Sequence, residues 1–138
     1  MASVQSRTPF SLLIVEDEVT ARKALVRMVS RRFPDCTIYS AGNSIQGLEL
    51  FKQFNPDIVM TDINMPVMDG VEMIRESRLI NANAKYIVLT AYSDRMNIER
   101  IKDINVTTYL LKPLAFRELF AAIEGAVAKE DVRRDPQG

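Results

Sequence analysis

The chain is predicted to fold as a doubly wound α/β domain: a parallel five-stranded sheet in (βα)₅ alternation, with helices on both faces. Three observations predict it. Apolar runs of strand length alternate along the chain with stretches that carry helical stripes. The runs are nearly continuous, as expected of strands buried on both faces. Short polar signals (Glu16-Asp17, Asp62, Thr90 and Lys112-Pro113) each follow one of these runs. They would meet on one rim if the strands were parallel and their C-terminal ends converged.

Residues 1–9 are polar and mixed and read as a tail, with the domain spanning 10–128. Phe10 to Val15 is the first strand. Ala21, Ala24, Leu25, Met28 and Val29 form one helical stripe, and Pro34 marks the end of that region. Thr37 to Ala41 is short and β-prone. Ser44 can cap a helix through about Phe54, with Ile45, Leu48 and Phe51 on one face, before Asn55-Pro56 breaks it. Asp57 to Thr61 is the third strand. A loop with Asn64, Pro66, Asp69 and Gly70 leads to a helix from about Val71 to Ile80, opened by the capping-box spacing of Asp69 and Glu72. Lys85 to Leu89 is the fourth strand. Ser93 or Asp94 can cap a helix to about Asp103 with a thin stripe (Ile98, Ile101, Ile104), and Asn105 suits the left-handed residue after it. Val106 to Leu111 is the fifth strand. Ala115 to Ala128 is the last helix, with Phe116, Leu119, Phe120, Ile123 and Val127 facing inward. Residues 129–138 are charged, end in Pro, Gln and Gly, and read as a tail or linker.

A length of 138 residues suffices for one domain with a real core. Eighteen basic and eighteen acidic residues cancel, so nothing favours nucleic acid or an anionic membrane as a direct partner. No apolar run approaches the ~18 residues of a membrane span. Phe10 to Val15 is too short for a signal-peptide core and ends in acids. The single cysteine, Cys36, cannot pair internally, which fits a reducing cytoplasm. The chain has no histidine. That excludes a Ser-His-Asp triad, a histidine metal site and an internal phosphohistidine donor. Neither G-x-x-x-x-G-K-[ST] nor G-x-G-x-x-G occurs, so the usual nucleotide signals are missing.

Adjacent acids at a strand end, Glu16-Asp17, repel unless a cation neutralises them. Their hard oxygens suit Mg²⁺, which takes few protein ligands; capping of the following helix fits the same spacing. Asp62 can be a metal ligand, a phosphoryl-accepting nucleophile, or an ordinary turn aspartate. Lys112 can pair with carboxylate and then hold a phosphoryl oxygen as a compact point charge. Pro113 after it implies a rigid peptide, of the kind that adopts cis, or the first turn of a helix. The Thr90 hydroxyl can donate to a phosphoryl oxygen, and Ala91 leaves the approach to Asp62 open. These residues follow strands one, three, four and five, which lie side by side in a doubly wound sheet of order 2-1-3-4-5.

The chain resembles the receiver domain of two-component response regulators over about residues 10–128. The resemblance is carried by Leu13-Ile14-Val15-Glu16-Asp17-Glu18, the run Asp57 to Pro66, Met68-Asp69-Gly70, Leu89-Thr90-Ala91 and Tyr109-Leu110-Leu111-Lys112-Pro113. It implies a flavodoxin-like fold. It implies that Asp62 accepts a phosphoryl group, that Asp17, Asp62 and the backbone carbonyl of Asn64 bind Mg²⁺ directly, and that Glu16 acts through water. It further implies that Thr90 and Lys112 contact the phosphoryl group and that Tyr109 is an aromatic switch coupled to Thr90. By the same resemblance the donor is a phosphohistidine on a sensor histidine kinase or a histidine phosphotransfer protein. The output passes through the face of the fourth helix, fifth strand and fifth helix, to an output domain, another protein or a second copy in a homodimer. Such a module is a stoichiometric phosphoacceptor that assists its own phosphorylation and dephosphorylation, not an enzyme in the ordinary sense.

Glu16 replaces the family's commoner aspartate, and Asn105 stands where glycine is usual. Asn64 and Tyr92 hold positions that the family varies to tune dephosphorylation. A haloacid-dehalogenase-type hydrolase would want a second aspartate where Asn64 stands. The alternative is a degenerate, phosphate-independent receiver that acts as a protein-interaction module; a missing acid, lysine or acceptor would support it, and none is missing. A flavodoxin-like electron carrier shares the fold class alone. With no effector domain visible, the chain reads as a stand-alone regulator or a piece of a longer protein.

Overall fold

Leu12, Leu13, Ile14 and Val15 are all buried in β1 (Ser11–Val15), although neighbouring side chains of a strand point to opposite faces. Such a strand needs cover on both sides, and the chain supplies it. The structure, a computed structural model, describes residues 9–63, 65, 68–91, 106 and 108–134. After β1 come α1 (Val19–Arg32), β2 (Thr37–Ala41), α2 (Ser44–Phe54), β3 (Ile58–Asp62), α3 (Gly70–Ile80), β4 (Lys85–Ala91), β5 (Thr108–Lys112) and α4 (Phe116–Arg134). All strand pairs are parallel, and the order is β2-β1-β3-β4-β5, as the sequence predicts. The predicted helix at about 94–103, with Tyr92 and Asn105, lies outside the described residues.

The sheet separates two apolar clusters. Leu13, Val15, Val59, Tyr86 and Val88 face Phe51 of α2 and Val71, Met73 and Ile74 of α3. Leu12, Ile14, Met60, Ile87 and Leu89 face Leu25 and Val29 of α1 and Leu119, Ile123 and Val127 of α4. Odd and even positions of one strand thus feed different clusters. At roughly 1.5–3 kcal/mol for each fully buried large side chain, this packing holds the strand ends in place. No described helix is long and apolar enough to cross a membrane.

Several predicted details shift. Asn43, not Ser44, caps α2, its side chain accepting from Gln46 N at 2.8 Å. The buried face of α2 is Ser44, Gly47 and Phe51, and Ile45 is exposed. Small residues let α2 close on the sheet: a Cβ on Gly47 would sit 2.9 Å from a Val15 methyl. Asp69 caps α3 by accepting from Glu72 N, which is the expected capping pair. Asn55 ends α2 in the left-handed conformation (φ 49°). In α4, Phe116 is exposed and stacks on Phe120 rather than entering the core. The helix also runs on to Arg134, past Ala128 where the sequence pattern ends it. Asp57 stands before β3, and its carboxylate accepts from Ser11 N at 2.9 Å, joining the N-terminal ends of β1 and β3.

Candidate functional site

Strand register brings the predicted residues together. Val15 is level with Thr61, Asp62 with Leu89, Thr90 with Leu111, and Ala91 with Lys112. Glu16, one residue beyond β1, therefore lies beside Asp62, the last residue of β3. Glu16, Asp17 and Asp62 each bring a carboxylate oxygen to within 4.8 Å of the others. Glu16 and Asp62 are buried; Asp17 is exposed. The Lys112 ammonium hydrogen-bonds to Asp62 Oδ2 and lies 3.6 Å from Glu16 Oε1. The Lys112–Pro113 peptide is cis.

Helix capping, the other reading of Glu16-Asp17, falls to Glu18. Its carboxylate accepts from Ala21 N at 2.7 Å and Thr20 N at 3.3 Å. Glu16 turns back instead, accepting from Glu18 N through Oε2 at 3.1 Å. Asp17 is left facing solvent beside the cluster. Thr90 is fully buried, and its hydroxyl donates to the Ala91 carbonyl at 3.3 Å, a long bond. Tyr109 stands on β5 and is 45% exposed. Asn64 lies outside the described residues.

Burial raises the Glu16 carboxyl above its ordinary range. The Glu18 N–H and the Lys112 charge pull it down without cancelling that effect, and Asp62 and Asp17 add to it. Burial of the Lys112 ammonium works against its charge. The hydrogen bond and charge of Asp62, with Glu16, outweigh burial, and the Lys112 pKa is raised. The lysine is a cation held among acids, and the acids exceed it in number.

Three residues support the site through backbone-carbonyl contacts that no sequence pattern marks, although Gly70 itself stands in the Met68-Asp69-Gly70 signal. The Thr61 hydroxyl donates to the Asp62 carbonyl at 2.7 Å. Gly70 N donates to the Ile63 carbonyl at 3.0 Å, which draws the start of α3 against the chain after Asp62. Arg22 Nη1 donates to the Glu16 carbonyl at 2.9 Å. Glu18 was legible as a cap, being an acid immediately before the helical stripe.

A parallel sheet of this order, with three carboxylates, a buried hydroxyl and a lysine at its C-terminal rim, is the architecture of a signalling receiver module. The family model of the response regulator receiver domain matches residues 12–124, and the chain belongs to that family. Among curated proteins it is 36% identical over 123 residues to the transcriptional regulatory protein PdtaR of Mycobacterium tuberculosis, covering 88% of this chain and 58% of that protein. The chain thus spans little more than half the length of that relative. It is 35% identical over 117 residues to a probable chemotaxis protein CheY of Rhizobium etli, covering 82% of this chain and 88% of that one. A solved response regulator receiver domain protein from Clostridium thermocellum superposes with a TM-score of 0.83 at 26% identity, covering 89% of this chain and 98% of that one.

Proposed function

We propose that this receiver domain accepts a phosphoryl group on Asp62 from a phosphohistidine and that phosphorylation switches its output surface. The observation that carries the reading is the convergence of Glu16, Asp17 and Asp62 carboxylates with the Lys112 ammonium at one strand-end rim. In the proposed step an Asp62 oxygen attacks phosphorus in line. The new O–P bond forms as the N–P bond breaks, and the electron pair returns to the donor imidazole, which takes a proton from solvent. Lys112, already paired with Asp62, then neutralises a phosphoryl oxygen. The Thr90 hydroxyl gives up its long bond to the Ala91 carbonyl for the incoming oxygen. Tyr109 follows it inward from its exposed position, a local charge event biasing a two-state element.

The donor set fits Mg²⁺. It is all hard oxygen, carries more negative charge than Lys112 cancels, and has one open member in Asp17. Asp17 and Asp62 would hold the ion directly, Glu16 through water, and the Asn64 carbonyl joins this set from the family resemblance alone. When bound, the ion would neutralise charge on the transferring group.

These 138 residues hold no histidine, so the proposed phosphohistidine lies outside them; a sensor kinase or a phosphotransfer protein meets that need. The proposed output face comprises the segment at 94–103, β5 and α4, acting on an output domain, a partner protein or a second copy. Residues 10–128 are the proposed module, and its proposed setting is the cytoplasm. Intact mass after incubation with Mg²⁺ and phosphoramidate tests the mechanism. One added phosphoryl group is expected, absent in Asp62→Asn and after EDTA. No adduct with any small phosphodonor would refute phosphorylation and leave a phosphate-independent interaction module.

A further inference from the structure

We infer that Arg22 is a positioning residue, its guanidinium laid across Gly42 to tether the Glu16 carbonyl and so set the affinity of the acid cluster for a divalent cation. The inference rests on the functional reading above and adds a residue outside the cluster. The β1 ladder ends at Val15, paired with Ala41 on one side and Thr61 on the other. Glu16 keeps one more sheet-like bond, its N–H to the Ala41 carbonyl at 3.1 Å. Its own carbonyl lies past the ladder and takes Arg22 Nη1 at 2.9 Å. Arg22 stands in the first turn of α1, where its N–H donates to the Glu18 carbonyl at 2.9 Å. The side chain therefore reaches back from the helix to the strand end and closes the acid loop. A peptide is planar, so fixing the Glu16 carbonyl fixes the plane that enters Asp17. Asp17 is the exposed acid of the cluster, and that plane sets how it leaves the strand end.

Gly42 supplies a second, independent observation. Its φ is not positive, so the backbone does not call for glycine. A Cβ there would instead meet the Arg22 guanidinium, 2.9 Å from Nη1 and 3.5 Å from Cζ. The missing side chain is the track along which the guanidinium runs. Gly42 is itself held, its N–H donating to Gln46 Oε1 at 2.8 Å.

The sign of the effect separates positioning from charge. Arg22 is a cation near a site for a cation, so removing it would tighten Mg²⁺ binding if electrostatics ruled. Loss of the tether would weaken it. Mg²⁺ alone is the probe, titrated by NMR on the Asp17 and Glu18 amides of the full chain. Arg22→Met is expected to weaken binding about tenfold, the lower end of what lost supporting hydrogen bonds cost metal sites. Gly42→Ala keeps the charge but displaces the guanidinium, and should weaken binding in the same direction. The double variant should match Arg22→Met alone, because both changes break one contact. In the metal-free protein, amide exchange at Asp17 and Glu18 should quicken in both variants while the urea midpoint moves little. Unchanged or tighter Mg²⁺ binding in Arg22→Met would overturn the inference, as would additive effects or weakening that merely follows lost stability. A parent that binds no Mg²⁺ fails the functional reading and this inference together. A parent that binds, with variants that match it, fails this inference alone.

Discussion

Gly70 offers a direct test of how tightly the start of α3 is pressed against the site. A Cβ there would lie 2.5 Å from the Asp62 carbonyl oxygen, 2.7 Å from Ile63 Cα and 3.1 Å from an Ile63 methyl. Two of those three atoms are backbone and cannot rotate away. Gly70 has no positive φ, so the effect of Gly70→Ala is steric rather than conformational. Overpacking of this kind costs about 1–3 kcal/mol, and a gap short by most of an ångström against backbone belongs at the upper end. The gain in helix propensity from glycine to alanine returns at most about 1 kcal/mol. A net loss of about 2 kcal/mol remains, near 8 °C in Tm for a chain of this size. Gly125→Ala is the matched control: that glycine is exposed within α4, a Cβ meets nothing within 4 Å, and the change should stabilise by a few tenths to 1 kcal/mol. Urea unfolding of both variants, with unchanged m-values, gives the comparison. A Gly70→Ala midpoint within error of the parent, or below-parent stability in Gly125→Ala, would refute the packing argument.

If the acid cluster binds Mg²⁺, an ion present at ten times its Kd should stabilise the fold by about 1.4 kcal/mol, and Asp17→Asn should abolish that gain in a thermal melt with and without EDTA. The raised Glu16 carboxyl contributes stability that is present below its ordinary 4.5 and is lost as pH rises through the folded-state value. Glu16→Gln should accordingly gain on the parent between pH 4 and pH 7 in urea midpoints; a constant difference would rule this out. The raised Lys112 contributes below its ordinary 10.5 and loses that contribution above it, so the parent should weaken on the alkaline side. Burial, with help from Asp57, pushes the Cys36 thiol up to about 12. Thiol labelling at pH 8 should therefore run at least about tenfold slower in the folded chain than in urea, the smaller thiolate fraction being partly offset by the greater nucleophilicity of a higher-pKa thiolate, and prompt labelling would contradict that environment.

The strands were legible because their apolar runs are short, continuous and bounded by turn chemistry; Leu12 to Val15 announces two-sided burial on its own. The rim residues were legible because each stands at the end of such a run. The facing of helices was less so. Ile45 looks like core by hydropathy, but α2 must approach closely, and the sheet accepts Ser44 and Gly47 in its place. Phe116 departs from its inward spacing for a related reason: an aromatic at the right spacing can sit at the mouth of a stripe and stack on its neighbour. The Arg22 and Thr61 contacts run from side chains to backbone carbonyls, and no residue pattern marks a carbonyl in need of a donor.

The Asp62–Lys112 pair joins residues 50 positions apart, and every neighbouring strand pair in the sheet is parallel, so none is closed by a hairpin. Loops of that length must close before the rim exists, which makes its assembly a late, non-local event on the folding route. A ligand that needs both residues at once therefore finds little to hold in the transition state. It will lengthen the native lifetime by slowing unfolding and leave the refolding rate almost untouched.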